Sequence, residues 1–202
     1  MAFTAAEIKN LALTEINHET ISDWTDTTNT DIPIINQQYE LALQNALVAY
    51  PWSFAQKYVE ITTTDTPDTN ALCHKYNKMA TIPTDALGQI AVSTDKGFEN
   101  LADFDIIGRT LYCRTNPAYM KYTARVDEAN LTPEFVDWFK TYFAMRLNPY
   151  LNGDMQRQAY FASEEPQLYK RAKNIDSHSR PHQALLGNPF LWVRGKFGGG
   201  VI

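Results

Sequence analysis

Ala46-Leu47-Val48-Ala49-Tyr50-Pro51-Trp52-Ser53-Phe54-Ala55 is where one kind of sequence stops and another begins. Upstream of it, Ile35, Tyr39, Ala42, Leu43, Ala46 and Leu47 recur at spacings that share one helical face, and Asp31 with Pro33 marks the start. The proline ends that helix at Tyr50, because its ring crowds the helical conformation of the residue before it. Downstream the helical period is lost. Short runs rich in β-branched and aromatic residues take over: 57–62, 76–82, 88–93, 104–107, 110–113 and 119–126. Turn formers separate them, among them Thr66-Pro67-Asp68, Pro83-Thr84-Asp85 and Asn116-Pro117, with Gly108-Arg109 placed for a hairpin turn. This predicts a small antiparallel β unit.

Farther out on both sides the chain is helical again. Before the junction, Thr4 and Glu7 form a capping-box pattern, with Phe3 and Ile8 placed as a staple, and the predicted buried stripe is Ile8, Leu11 and Ile16. The polar stretch 20–30 reads as a loop. After the β unit, Thr132-Pro133 is an N-cap with proline at the first helical position, and Phe135, Trp138, Phe139, Tyr142, Phe143 and Leu147 make a wide apolar face. A turn is predicted over 148–153. Asp154 then caps a last helix bearing Met155, Ala159 and Ala162, which Pro166 should break or kink before Leu168, Ala172 and Ile175. From 177 to 202 periodicity disappears amid Pro181, Gly187, Pro189, Gly195 and three terminal glycines. Yet Leu185, Leu186, Phe190, Leu191, Trp192 and Phe197 fall there, more apolar area than an extended segment shields by itself.

The expected class is therefore α+β: about four helices interrupted by an inserted antiparallel β unit, with an extended C-terminal tail. The divisions fall at 1–53 (helical, first half), 54–128 (β), 129–176 (helical, second half) and 177–202 (interaction tail). At 202 residues, 44% hydrophobic and 20% charged, the chain has the composition of a folded protein. No run of about 18 apolar residues suits a membrane span, and the N-terminus lacks the pattern of a secretory signal. Cys73 and Cys113 have no metal-knuckle or redox spacing. Folding in a reducing cytoplasm is the default, and a single disulfide stays open. A net charge of -5 disfavours tight wrapping of nucleic acid.

Chemistry-bearing residues are sparse. His178 and His182 stand at ligand spacing with Pro181 between them and no acidic or Cys partner, so no metal is assigned. Cys73-His74 are neighbours that rarely face one another productively. Glu164 and Glu165, with Asp154, are the candidate carboxylates if the protein were a glycan or peptidoglycan hydrolase; beside Pro166 they read more simply as a solvated first helical turn. No catalytic residue and no cofactor is assigned.

The junction 46–55, the run Lys78-Met79-Ala80-Thr81-Ile82-Pro83-Thr84-Asp85-Ala86-Leu87, the pair 104–112, and Asn130-Leu131-Thr132-Pro133-Glu134-Phe135 occur in the order found in one family. Over roughly residues 30–195 the chain resembles tail tubular protein A, the head-to-tail adaptor of short-tailed bacteriophages. The ending Asn188-Pro189-Phe190-Leu191-Trp192-Val193-Arg194-Gly195 is similar to the extended termini of some adaptors. The resemblance implies a structural virion protein without enzymatic activity. It would be folded in the host cytoplasm and built into the tail as a ring, commonly of twelve subunits, between the portal protein and a nozzle resembling tail tubular protein B. Double-stranded DNA would pass through the bore without sequence-specific contact, and no membrane is involved. The helices and tail would meet the portal or a neighbour, and the β unit the nozzle. Leu185, Leu186, Phe190, Leu191, Trp192, Arg194 and Phe197 are the expected partner-binding residues, ordering on assembly.

Overall fold

A computed structural model describes residues 2–66 and 75–179. The protein is α+β, as the periodicities require. Helices α1 (Ala5–Glu15) and α2 (Asp31–Val48) precede seven strands, and α3 (Pro133–Leu151) and α4 (Met155–His178) follow them. The strands are β1 (Gln56–Ile61), β2 (Thr64–Asp65), β3 (Lys78–Thr81), β4 (Ala86–Ser93), β5 (Asp105–Ile107), β6 (Thr110–Cys113) and β7 (Ala118–Ala124). Among the described residues every pairing is antiparallel, and the strands form two sheets, β1-β7-β4 and β2-β3-β6-β5. The two-residue strand β2 is the one the sequence reading omits. Between β5 and β6, Ile107 pairs with Thr110 and Gly108 takes φ 62° at the first position of the two-residue turn, where a Cβ would be disfavoured.

One hydrophobic core joins helices and sheets. It holds Ile8, Leu13 and Ile16 from α1, Ile35, Tyr39, Leu43 and Leu47 from α2, Val92, Leu111, Met120 and Tyr122 from the strands, and Phe135, Phe139, Phe143 and Leu147 from α3. The capping box at Thr4 and Glu7 forms in both directions, and the 20–30 loop is held by Asp23 and Asp26, whose carboxylates each accept from the Thr two residues on. Leu11 departs from its predicted stripe and is exposed; Ala12 and Leu13 are buried instead, because α1 lies against α3 on the side of Ile8 and Ala12.

The second helical half differs from expectation in four places. Pro149 does not end α3, which runs on to Leu151. The Asn148 carbonyl accepts from both Asn152 and Gly153, closing the turn later than predicted. Pro166 does not break α4 either. It lies on the solvent side, where water can take the Ala162 carbonyl that the proline leaves unpaired, while Phe161 on one side and Tyr169 on the other pin the helix to α3. Of the apolar positions predicted for α4, Leu168 and Ala172 meet the core as expected and the others do not. Met155, Ala159, Ala162 and Ile175 are exposed, and the inward row is Phe161, Glu165, Leu168, Ala172 and Asp176. Two members of that row are acidic, so a search for apolar periodicity passes over it. The helix also continues through Ser177 and His178, two residues into the segment read as tail.

Candidate functional site

The junction 46–55 is the packing centre on which the rest is arranged. Trp52 stands with ring centroids 5.0 Å from Tyr50, 5.9 Å from Phe54, 5.1 Å from Phe135, 5.6 Å from Trp138 and 6.2 Å from Tyr169. Its Nε1 donates to the Ala46 carbonyl at 2.9 Å, so the last turn of α2 and the ring hold each other. A 3-10 turn at Ser53–Ala55 then redirects the chain into β1. There Asp176 accepts from the Ser53 amide at 2.9 Å and from its hydroxyl at 2.6 Å, tying the end of α4 to the end of α2. Replacing Asp176 with Ala strands the Ser53 donors, and a loss of about 2 kcal/mol in denaturant unfolding is expected.

A cluster of titratable side chains lies where β7 leaves the sheet. Arg125 Nε donates to Glu40 Oε1 at 3.0 Å and its Nη2 to Glu128 Oε1 at 2.8 Å, and Tyr39 Oη donates to Glu128 Oε1 at 3.2 Å. Lys9 Nζ lies 4.8 Å from the Tyr39 ring centroid and 4.9 Å from that of Trp24, and donates to Asn36. Burial pulls the Lys9 ammonium below its ordinary pKa, and burial beside Glu128 pushes the Tyr39 phenol well up. Both guanidinium edges are occupied, so the cluster is a clamp between α2 and β7 rather than a cleft holding an available proton donor.

The hydrogen bond from Arg125 holds the Glu40 carboxyl below its usual range. A carboxylate with a depressed folded-state pKa contributes stability above its unfolded value, near 4.3, and loses it as pH falls through the folded value. Asp85 behaves alike. Burial opposes its ionisation, but donation from Lys57 Nζ at 2.6 Å and Tyr122 Oη at 3.1 Å outweighs it, while burial and that same contact push Tyr122 up to about 12. Unfolding midpoints should therefore be flat from pH 7 to about 5 and fall below about 4.3. An unchanged midpoint at pH 3 would contradict these pairings.

The candidate carboxylates have structural partners. Glu165 Oε1 accepts from Trp138 Nε1 at 2.6 Å in the middle of α4, so the first-turn reading of Glu164 and Glu165 is corrected. Asp154 is the N-cap of α4, accepting from Gln156 and Arg157 amides. Ten residues of helix, about 15 Å of rise, separate Asp154 from half-buried Glu164, well beyond the carboxylate spacings of roughly 5 to 9.5 Å used in glycoside hydrolysis. His178 is exposed at the end of α4, and Cys113 is a buried free thiol. Leu185, Leu186, Phe190, Leu191, Trp192, Arg194 and Phe197, with His182, Cys73 and His74, lie outside the described residues. Among the described residues, no group of three or more His, Cys, Asp or Glu side chains is placed to hold a metal, and no helix is long and apolar enough to cross a membrane.

A surface that sequence reading missed lies on the outer side of α2. Opposite the core face, at seven-residue intervals, stand Ile34, Leu41 and Val48, with 38%, 49% and 37% of their surface exposed. Gln37, Gln38 and Asn45 fill the same face, and none of the six is charged. A surface helix ordinarily turns its charges to water there, as α3 does with Glu134, Asp137 and Arg146. The two charges of α2 are elsewhere: Glu40 is bound to Arg125, and Asp31 lies 3.4 Å from His18. Beside Val48, Gln89 on bulged β4 donates to the Val48 carbonyl at 2.7 Å, fixing that end of the face to the sheet. The signal was available in the sequence as a second apolar row at spacing seven, behind the core row. Neither a family model nor a curated protein matches the chain.

Proposed function

We propose that the protein is a structural assembly subunit, the ring-forming head-to-tail adaptor that its resemblance to tail tubular protein A implies. The observation that carries this reading is the uncharged outer face of α2. Its three apolar side chains stand among Gln37, Gln38 and Asn45 with no charge between them, and depletion of charge is what marks the core of a protein interface. The helix–β–helix order, with a single core running through it, gives a rigid body fit for a load-bearing ring. Association is head-to-tail, in which two unlike surfaces of each subunit meet and the rotation closes a circle. The portal protein, the nozzle and a neighbouring copy are the partners, double-stranded DNA passes through the bore, and the site of action is the virion tail.

Light scattering of the purified protein, alone and mixed with the portal protein of the same phage, tests this. A large discrete complex formed on mixing supports the adaptor role; a species indifferent to the portal overturns it. Leu41→Asp sharpens the experiment. Position 41 is half exposed, so unfolding stability should change by about 0.5 kcal/mol or less, whereas complex formation should weaken about tenfold or more, since charge would be buried in the interface. Wild-type assembly by this variant would remove the α2 face from the contact.

A further inference from the structure

A ring closed head to tail needs two unlike surfaces on each subunit. Besides the outer face of α2, the first half of α4 presents an outer face without charge. Met155, Ala159, Ala162 and Pro166 follow at spacings of four, three and four, a single helical stripe, with Gln156, Tyr160 and Ser163 beside it. All seven are exposed, Met155 by 79% and Tyr160 by 56%. The charges of the stretch are engaged elsewhere or half-buried: Arg157 bonds the Glu15 carbonyl and lies 3.5 Å from Asp154, Glu165 accepts from Trp138, and Glu164 is half-buried. Loss of charge with Met and Tyr present is the composition of an interface core.

The two stripes match in shape, in hydrogen bonding and in charge. Ile34, Leu41 and Val48 project from α2, whereas Ala159 and Ala162 leave a shallow groove in α4 between Met155 and Pro166. Pro166 leaves the Ala162 carbonyl without the amide donor a helix would give it, and Gln38 and Asn45 hold side-chain amides between the apolar residues of α2. Each stripe ends on one charge: Asp31, beside His18, precedes Ile34 by three residues, and Lys170, exposed, follows Pro166 by four. Asp31 to Val48 spans about 26 Å of helix and Met155 to Lys170 about 23 Å. Antiparallel alignment sets Lys170 beside Asp31, Leu41 over Ala162 and Val48 beside Met155; parallel alignment leaves both charges without a counterpart.

We propose that the outer face of α2 packs antiparallel on the first half of α4 of a second copy, and that this contact, repeated around the circle, joins the subunits. The proposal rests on the adaptor reading and names the two surfaces through which its ring closes. Each subunit carries both faces, one for each neighbour. A helix pair about 25 Å long and about 10 Å wide covers roughly 250 Å², well below the roughly 800 Å² per partner of a stable pair. Free copies therefore stay apart, and the contact forms when the portal gathers them.

The experiment places cysteines on the two faces of the full chain with Cys73→Ser; Cys113, fully buried, stays out of reach of the reagent. Leu41→Cys and Ala162→Cys are prepared as separate proteins, mixed in equal amounts with the portal protein, and treated with a short bis-maleimide. The expected result is a linked pair of chains in the mixture, about tenfold more than either variant gives alone. Val48→Cys with Met155→Cys should link as well, and Ile34→Cys with Met155→Cys should not. Linking of Ile34→Cys with Met155→Cys would overturn the antiparallel packing, and links within Leu41→Cys alone would assign α2 to self-pairing. Portal complexes that form normally and carry neither expected link overturn the contact and leave the adaptor reading standing. If the unsubstituted chain forms no portal complex, the adaptor reading falls and the contact with it.

Discussion

Trp52→Ala should cost about 4 kcal/mol and leave a chain that is unfolded, or nearly so, at ordinary temperatures. The side chain is fully buried, and large-to-small changes of buried aromatics cost about 3–5 kcal/mol from lost transfer energy and the cavity left behind. Trp52 sits at the upper part of that range because its five ring partners come from three parts of the chain: the junction itself, α3 and α4. Each neighbour loses an edge or face contact at once, and the Ala46 carbonyl loses its indole donor. No single element can close the hole, since the others are anchored elsewhere. Total stabilities of about 5–15 kcal/mol leave little margin for such a loss. Urea unfolding followed by circular dichroism measures it, and a loss under about 1.5 kcal/mol would show that the junction is peripheral.

Arg125→Ala is the second large effect. It removes the cation shared by Glu40 and Glu128, leaving two carboxylates facing one another beside the Tyr39 phenol. Deleting one partner of a fully buried pair costs about 3–5 kcal/mol; Glu40 is nearly half exposed, so about 2–3 kcal/mol is expected at pH 7. The pH dependence separates this from simple loss of packing. With the cation gone, Glu40 loses the largest cause of its lowered pKa and keeps only the smaller help of Gln44 and Lys9, so the variant should lose less stability than the parent between pH 5 and 3. Parallel acid curves for the two proteins would reject the clamp.

The fold was largely legible because its elements obey simple periodicities with good punctuation. Thr4 and Glu7, Thr132 and Pro133, Asp154 and Gly108 all do what their chemistry predicts, each through a local hydrogen bond or a backbone angle. What failed was non-local. Whether a proline breaks a helix depends on which side faces water and what pins the flanks, and neither is written near Pro149 or Pro166. The inward face of α4 was hidden because Glu165 and Asp176 look like surface residues until Trp138 and Ser53 arrive from 27 and 123 positions away. The α2 surface was obscured by the opposite effect, since an apolar row was expected and finding one ended the search. Apolarity alone does not say how many sides of a helix need a partner; the count of charges does.

The placement of the β unit between two helical halves sets a timetable for synthesis. Tyr39 on α2 packs edge-on against Phe139 and Phe143 on α3, so the inner face of α2 lacks its helical cover until a segment roughly a hundred residues later has left the ribosome. At about 5–20 residues per second that interval lasts about 5–20 s. Throughout it a nascent chain carries a helix sequence with an apolar inner face only partly covered and an outer face without charge. Such a chain is a natural client for ribosome-associated chaperones. Its yield on overexpression should respond to translation speed and chaperone supply more than the stability of the finished fold would indicate.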